Sequence, residues 1–134
     1  MQAISYTRTT NGIRITATPT YLEKESFPEQ KKYVWSYAVI IENTNDYDVQ
    51  LLSRRWFIAD EMGRTERIEG DGVVGERPVI ASGEGYRYQS GAPLSSPSGM
   101  MMGIYTLVDD KGHIFDAEIP AISLDSPLAT RLIN

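Results

Sequence analysis

In the segment Tyr33–Asn43, large apolar side chains recur at every second position, which is the pattern of a β-strand. Every second side chain of a strand lies on the same face of its sheet, and the odd positions here are large and apolar. Val34, Ala38 and Ile40 make the opposite face apolar too, which is typical of a central strand that is covered on much of both sides. The odd-numbered face consists of Tyr33, Trp35, Tyr37, Val39 and Ile41.

The same period of two recurs along the rest of the chain, interrupted by turn residues. Further strands are predicted at Ile13–Thr18, Val49–Asp60, Arg64–Ile68, Val79–Ile80, Tyr86–Ser90, Met100–Val108 and His113–Ile119. Hairpin turns are predicted at Asp60–Gly63 and Asp109–Gly112, and no segment has the period of a long helix. This predicts an all-β fold, an immunoglobulin/fibronectin type III-like antiparallel β-sandwich of about seven to eight strands. A small β-barrel is the alternative.

Proline residues indicate where the predicted strands end or are exposed. Pro19 cannot donate a backbone hydrogen bond within a central strand, so an edge position or a bulge is expected there. The polar segment Glu23–Lys32 contains a proline, which predicts a mobile loop rather than a helix. The Pro- and Ser-rich segment Ala92–Gly99 is predicted to be a loop as well.

Length and composition bound the class of protein. The 134 residues are most simply one domain, with a core at about residues 6–124 and a C-terminal tail at 125–134. The chain has no Cys, its first residues lack the basic and apolar regions of a secretion signal, and no apolar run approaches the roughly 20 residues of a membrane-spanning helix. A cytoplasmic location without membrane contact is therefore expected. The net charge of −5 argues against nucleic acid as a partner, because that affinity comes mostly from Lys and Arg on phosphates.

The segment Gly70–Gly75 spells GxGxxG, the pattern of a dinucleotide-binding loop. That loop works where a helix follows it, because the helix N-terminus holds the pyrophosphate. Here Pro78 and β-branched residues follow, and Glu69, Asp71 and Glu76 add negative charge. The segment is therefore predicted to be a glycine loop between strands. Two functional alternatives stay open: a nest of backbone N–H groups for a phosphate-type anion, and recognition of a protein by the loop.

Arg54 and Arg55 precede Trp56 on one predicted strand. Because consecutive residues alternate faces, both guanidinium groups can enter one site only if a bulge intervenes. Arg54, Arg55 or Arg77 would have to offset the carboxylates if the glycine loop bound an anion. The structural alternative is an Arg side chain that packs on aromatic surface and pairs with a nearby carboxylate. The candidate ligand-binding residues are Arg54, Arg55, Trp56, Gly70, Gly72, Gly75 and Arg77.

Candidate metal ligands are few. The carboxylate pairs Asp60–Glu61 and Asp109–Asp110 lie at predicted hairpin turns, where Asp is expected for turn geometry. His113 is the only imidazole, and one His without Cys does not make a typical high-affinity cobalt or zinc site. No metal site, cofactor or catalytic residue is predicted. Met100 and Met102 share a strand face and are interpreted as core residues.

Four motifs occur in an order that resembles the ApaG family, and the similarity runs from about Tyr6 to Leu124. The motifs are Gln50–Asp60 (QLLSRRWFIAD), Gly70–Pro78 (GDGVVGERP), Gly83–Tyr88 (GEGYRY) with Ser90 and Gly91, and Gly99–Tyr105 (GMMMGIY). The resemblance implies a fibronectin type III-like β-sandwich. It also implies an association with cobalt resistance and magnesium efflux in bacteria, and a similarity to protein-binding domains of eukaryotic F-box and polymerase-interacting proteins. No established catalytic activity comes with the family.

The expected function is therefore a non-enzymatic module that binds another protein, either as a monomer or as a homodimer. Tyr86, Tyr88 or Trp56 would be the aromatic anchors if they are exposed. Arg55 stands where many members of the family have His, which weakens an interpretation in which that imidazole binds metal or moves protons. The alternative function is a sensor of a small anion (phosphate, pyrophosphate or a nucleotide) that uses the Gly70–Gly75 loop.

Overall fold

A computed structural model describes residues 4–127, and within them the chain is built almost entirely of β-strands. Two short 3₁₀ turns, Glu23–Glu25 and Pro28–Gln30, occupy the segment predicted to be a loop. The strands are β1 (Tyr6–Thr10), β2 (Ile13–Tyr21), β3 (Tyr33–Asn43), β4 (Val49–Asp60), β5 (Thr65–Asp71), β6 (Val79–Ile80), β7 (Gly85–Leu94), β8 (Ser98–Asp109) and β9 (Ile114–Asp125). β7 and β8 extend into the predicted Ala92–Gly99 loop and leave only a short connection there.

The strands form two antiparallel sheets that pack face to face. The first sheet has the order β1-β2-β3-β7, and the second has the order β5-β4-β8-β9, with β6 pairing with β4. The chain is therefore an immunoglobulin/fibronectin type III-like β-sandwich, as predicted, and not the small barrel that was the alternative.

The core lies between the two sheets, and β3 contributes its odd-numbered face to it. All five of the predicted aromatic and branched side chains of that face are buried. The opposite face is not covered as expected: Val34 and Ile40 are half-buried and Ala38 is exposed. β3 is central in its sheet, but among residues 4–127 no further sheet lies on the outside of that sheet, so only the inner face of β3 is fully buried.

Pro19 lies where β2 is locally an edge. It pairs with Tyr37 of β3 on one side, whereas the pairing of β2 with β1 begins only at Ala17. The expected edge position is thus confirmed. The connection that follows β2 is held by buried Ser26, whose Oγ donates to the Leu22 carbonyl at 2.8 Å.

The two long sides of the sandwich differ in how they are joined. On one side β1 contacts β9: Arg8 and Glu118 form an ion pair, and the Asn11 side chain donates to the Asp116 carbonyl at 3.0 Å. On the other side β7 and β5 are the outermost strands of their sheets, and within the described chain no hydrogen bond or ion pair joins them. This second side, called here the open side, is where the candidate residues of β4 and β5 lie.

The C-terminal end of the fold is β9, which includes the first residue of the predicted tail, Asp125. Residues 128–134 of that tail lie outside the described residues. No helix found among residues 4–127 has the length and apolar character needed to span a membrane.

Candidate functional site

A bulge in β4 decides which way Arg54 points. The pairing of β4 with β8 shifts register between Leu51 and Ser53. Leu51 and Trp56 are consequently both buried although an even alternation would put them on opposite faces. Arg54 therefore lies on the inner face with Trp56, at the open side, and Arg55 lies on the outer face.

The Arg54 guanidinium is held by the backbone of the glycine segment. Its Nη1 donates to the Gly72 carbonyl at 2.8 Å and to the Asp71 carbonyl at 3.3 Å. Gly70 lies directly opposite Arg54 in the β4–β5 pairing, and a Cβ there would come within 2.8 Å of Nη1. Gly70 thus leaves the space that the guanidinium occupies, and the partners of Arg54 are carbonyl oxygens rather than a carboxylate.

The rest of the glycine segment is a tight turn anchored in the core. Val73 is fully buried, and its N–H and carbonyl exchange two hydrogen bonds with Glu76, at 2.8 and 2.9 Å. Val74 and Gly75 between them have φ of 48° and 78°, the signature of a type I′ turn. Gly72 also has a positive φ, and its N–H donates to the Leu52 carbonyl at 2.8 Å. The N–H groups of Gly72, Val73 and Glu76 are therefore occupied by carbonyl oxygens.

The other two candidate cations are paired with carboxylates on the surface. Arg55 Nε lies 3.2 Å from Glu69 Oε1, which also accepts Arg67 Nε at 3.0 Å. Arg77 Nη2 lies 3.0 Å from Asp71 Oδ2. An open polar groove of about 310 Å³ runs over the outer face here, bounded by Arg55, Glu69 and the neighbouring residues of β8.

Trp56 is a core residue and not a surface contact. Its side chain is 1% exposed, and its ring lies 5.1 Å from that of Tyr37, centroid to centroid. Beside it the hydroxyls of Tyr88 and Tyr105 share a short hydrogen bond. Burial raises the pKa of both phenols, so both stay protonated over the physiological range. A ligand or partner at the surface cannot reach Trp56. Trp56 is therefore not a ligand-binding residue.

The predicted ligand-binding residues are thus brought together only in part. Arg54, Gly70 and Gly72 form one local cluster at the open side. Arg55 faces the other way, and Gly75 lies at the exposed tip of the turn.

The acidic turns have the structural role that was predicted for them. Asp60 Oδ1 accepts the N–H groups of Met62 and Arg64, each at 2.9 Å, and Asp109 Oδ1 accepts those of Lys111 and His113, each at 2.9 Å. Within residues 4–127, no group of three or more His, Asp or Glu side chains is arranged so that it could hold a metal ion.

Sequence reasoning missed an apolar surface on the outer face of the second sheet. Met100 and Met102 share a face as predicted, but that face is the outer one, and the core methionine is Met101. Met101 has the same parity as Tyr105 and Leu107 on β8, and all three are buried. The interpretation of Met100 and Met102 as core residues was wrong because alternation alone does not say which face is inside.

Together, the two antiparallel sheets, the anchored glycine turn and the absence of a helix after it define a small immunoglobulin/fibronectin type III-like β-sandwich protein. The family model described as the ApaG domain matches residues 23–109. The chain belongs to the ApaG family.

Curated and solved relatives span nearly the whole chain. A protein ApaG from Mesorhizobium japonicum is 47% identical over 129 residues, which cover 96% of this chain and 99% of that protein. One from Maricaulis maris is 52% identical over 116 residues, which cover 87% and 89%. The crystal structure of a Bordetella pertussis protein described as ApaA has a TM-score of 0.84 and 39% identity, covering 86% of this chain and 94% of that one.

Proposed function

We propose that this protein is a non-enzymatic binding module of the cytoplasm that recognises another protein. The observation that carries the proposal is the apolar surface formed by Phe57, Met100, Met102 and Ile104, called here the outer patch. A contiguous apolar surface with a polar rim is typical of a protein–protein interaction site.

The strand register makes the outer patch contiguous. Met102 lies directly opposite Phe57 of β4, and Met100 and Ile104 are its neighbours on the same face of β8. Met100 and Met102 are 43% and 45% exposed. Methionine side chains are flexible and polarizable, and they therefore adapt well to an incoming apolar surface.

Charged residues of both signs border the outer patch. Arg55 and Glu69 lie on its β5 side, and Glu118 lies opposite Ile104 on its β9 side. A partner with apolar side chains at the centre of its contact and mixed charges at the edge fits this arrangement.

The proposal that the module is not an enzyme is supported by the position of the one imidazole. His113 is largely exposed in the β8–β9 turn, where its Nδ1 lies 3.1 Å from Asp109 Oδ2. We propose accordingly that the cobalt and magnesium association of the family acts through a bound protein rather than through a metal held by this chain.

The proposal is tested by photo-cross-linking at defined positions in living cells. A photoreactive residue that replaces Met102 is expected to form one discrete adduct with a partner protein. The matched control replaces Met62, which is 73% exposed in the β4–β5 turn and lies outside the outer patch. Adducts at both positions alike, or at position 62 only, would contradict the proposed surface.

A second candidate function is recognition of a phosphate-type anion beside the Gly70–Gly75 loop. It is favoured by Arg54, which has no carboxylate within ion-pair distance in the described part of the chain. The test is an amide NMR titration with pyrophosphate. Saturable shifts at Val74 and Gly75 are expected if the loop binds the anion, and unchanged spectra at millimolar pyrophosphate would exclude it.

A further inference from the structure

Strand β7 presents an unpaired backbone edge along the open side. It extends from Gly85 to Leu94 and pairs only with β3 among the described strands. The Glu84 carbonyl accepts the Asn43 N–H at 2.9 Å, so the backbone groups of even-numbered residues point towards β3. The groups of the odd-numbered residues therefore point outwards. These residues are Gly85, Arg87, Gln89 and Gly91, all exposed, and Pro93, which has no N–H to satisfy.

Within the described chain, the other sheet edges are protected against pairing with another chain, and the edge formed by β7 is not. β1 and β9 cover one another through the Arg8–Glu118 ion pair, and the Glu118 N–H donates to Thr10 Oγ1 at 3.4 Å. β5 carries four charged side chains in seven residues (TERIEGD), whereas β7 carries only Arg87 in ten. Charged side chains are the usual means of preventing edge-to-edge pairing, so β7 is the edge that the sequence leaves able to pair.

The sequence of β7 is complementary to itself when it is reversed about Gln89. In an antiparallel pair of two copies centred there, Tyr86 lies opposite Ala92, Arg87 opposite Gly91 and Tyr88 opposite Ser90. Each large side chain in the first half of the strand thus meets a small one of the second copy. The arginine meets glycine, so like charges are not opposed.

We propose that two copies of this chain pair through β7, antiparallel and centred on Gln89, so that the two first sheets form one continuous sheet. The pairing is isologous, as in most dimers, and closes on itself without leaving a further copy to add. The β7 edge belongs to the first sheet and the outer patch to the second. A negative result for one proposal therefore leaves the other unaffected.

Two other registers, centred on Arg87 and on Ser90, are less favourable than the one centred on Gln89. Centring the pair on Arg87 sets two guanidinium groups opposite each other. Centring it on Ser90 moves Pro93 into the interior of the ladder, opposite Arg87, where its missing N–H removes a hydrogen bond. With Gln89 at the centre, Pro93 lies at the end of the ladder opposite Gly85.

Disulfide trapping tests both the dimer and its register, because the chain has no Cys of its own. Gln89→Cys would face itself across the dimer axis with Cα atoms about 5.5 Å apart, within the span of a disulfide. Mild oxidation is expected to convert this variant almost completely to a covalent dimer. Arg87→Cys is the matched control on the same face, because its two copies would be offset by about 14 Å along the strands.

A mixture of Arg87→Cys and Gly91→Cys is expected to form the heterodimer, since these positions oppose each other. A Cβ at Gly91 meets only the Trp35 carbonyl, at an ordinary 3.7 Å. Sedimentation velocity of the unmodified protein should show a dimer that dissociates on dilution. A monomer at high micromolar concentration, or a dimer in which Gln89→Cys does not cross-link, would overturn the proposal.

Discussion

Gly72 and Gly75 both have a positive φ, of 59° and 78°, but their surroundings differ. A Cβ on Gly72 would overlap the Glu76 carbonyl oxygen, whereas a Cβ on Gly75 would meet nothing within 4 Å. Gly72 is thus required by backbone conformation and by space, and Gly75 by conformation alone. These requirements explain Gly72 and Gly75 of the GxGxxG pattern without a bound ligand.

We expect Gly72→Ala to destabilise the fold by about 3 kcal/mol and Gly75→Ala by about 1 kcal/mol, because only the first adds a backbone overlap to the strain of a positive φ. The free energies of unfolding in urea measure both. Equal losses would contradict the close approach of Gly72 to Glu76.

Asp109 gives the β8–β9 turn a defined pH dependence. Burial acts to raise the pKa of this carboxyl, but the N–H groups of His113 and Lys111 and the His113 ring lower it overall. A carboxyl whose pKa is lowered by folding stabilises the fold above its ordinary pKa of 3.8 and loses that stabilisation as the pH falls through the lower, folded value.

We therefore expect Asp109→Asn to be less stable than the unmodified protein near neutral pH, with the difference shrinking towards about pH 3. Asp110→Asn in the same turn is the control, since Asp110 is exposed. Urea unfolding at the two pH values measures the effect. A difference that does not change with pH would contradict the role of the ionised carboxylate.

Among the strands, β4 contains a bulge that determines which candidate residues lie on its inner face. The bulge precedes both arginines, and the regular alternation after it places Arg54 on the inner face with Trp56 and Arg55 on the outer face. Arg54 satisfies the carbonyl of Gly72, which is buried, whereas Arg55 forms a surface ion pair with Glu69.

Arg54→Met is expected to cost about 2 kcal/mol of stability, because a buried carbonyl loses a charged donor. Arg55→Met is expected to cost roughly 0.5 kcal/mol or less, as for exposed ion pairs. Hydrogen exchange should become faster at Gly72 in Arg54→Met only. Faster exchange at Gly72 in both variants would show that Arg54 does not hold the glycine segment.

The sequence predicted the hairpins and the inner face of β3 because these depend on neighbours along the chain. Turn residues and a period of two are local properties. It could not show that Arg54 points inwards, since a bulge depends on how β4 pairs with β8. The outer patch was missed for a related reason: alternation separates two faces of a strand, and only packing decides which one is buried.

At the scale of the whole molecule, the hydroxyl pair of Tyr88 and Tyr105 is a polar link between the two sheets. Tyr88 belongs to β7 of the first sheet and Tyr105 to β8 of the second. Tyr105 is fully buried and Tyr88 half-buried, so a hydroxyl that lost its partner would be poorly hydrated.

A double-mutant cycle tests this link. Tyr88→Phe and Tyr105→Phe are each expected to cost about 1–2 kcal/mol, because each removes the hydrogen bond between the two hydroxyls, and the double variant should cost less than the sum. Urea unfolding supplies all four free energies. Strictly additive losses would show that the two hydroxyls do not interact.

The overall architecture was accessible from the sequence, because regularly spaced strands without long helices have few stable arrangements. The open side could not be predicted from the sequence, since it depends on which strands form the edges of their sheets. Only the folded chain shows that β1 and β9 cover one another, whereas the outer edge of β7 has no partner among the described strands.

The proposed binding of a protein at the outer patch is best measured as the affinity for the partner identified by cross-linking. Met102→Glu should weaken that binding by about 30-fold or more, roughly 2 kcal/mol, because a carboxylate would be desolvated at the centre of the contact. Met62→Glu, the exposed control outside the patch, should bind like the unmodified protein. Unchanged affinity in Met102→Glu, or equal losses in the two variants, would show that the outer patch is not the binding surface.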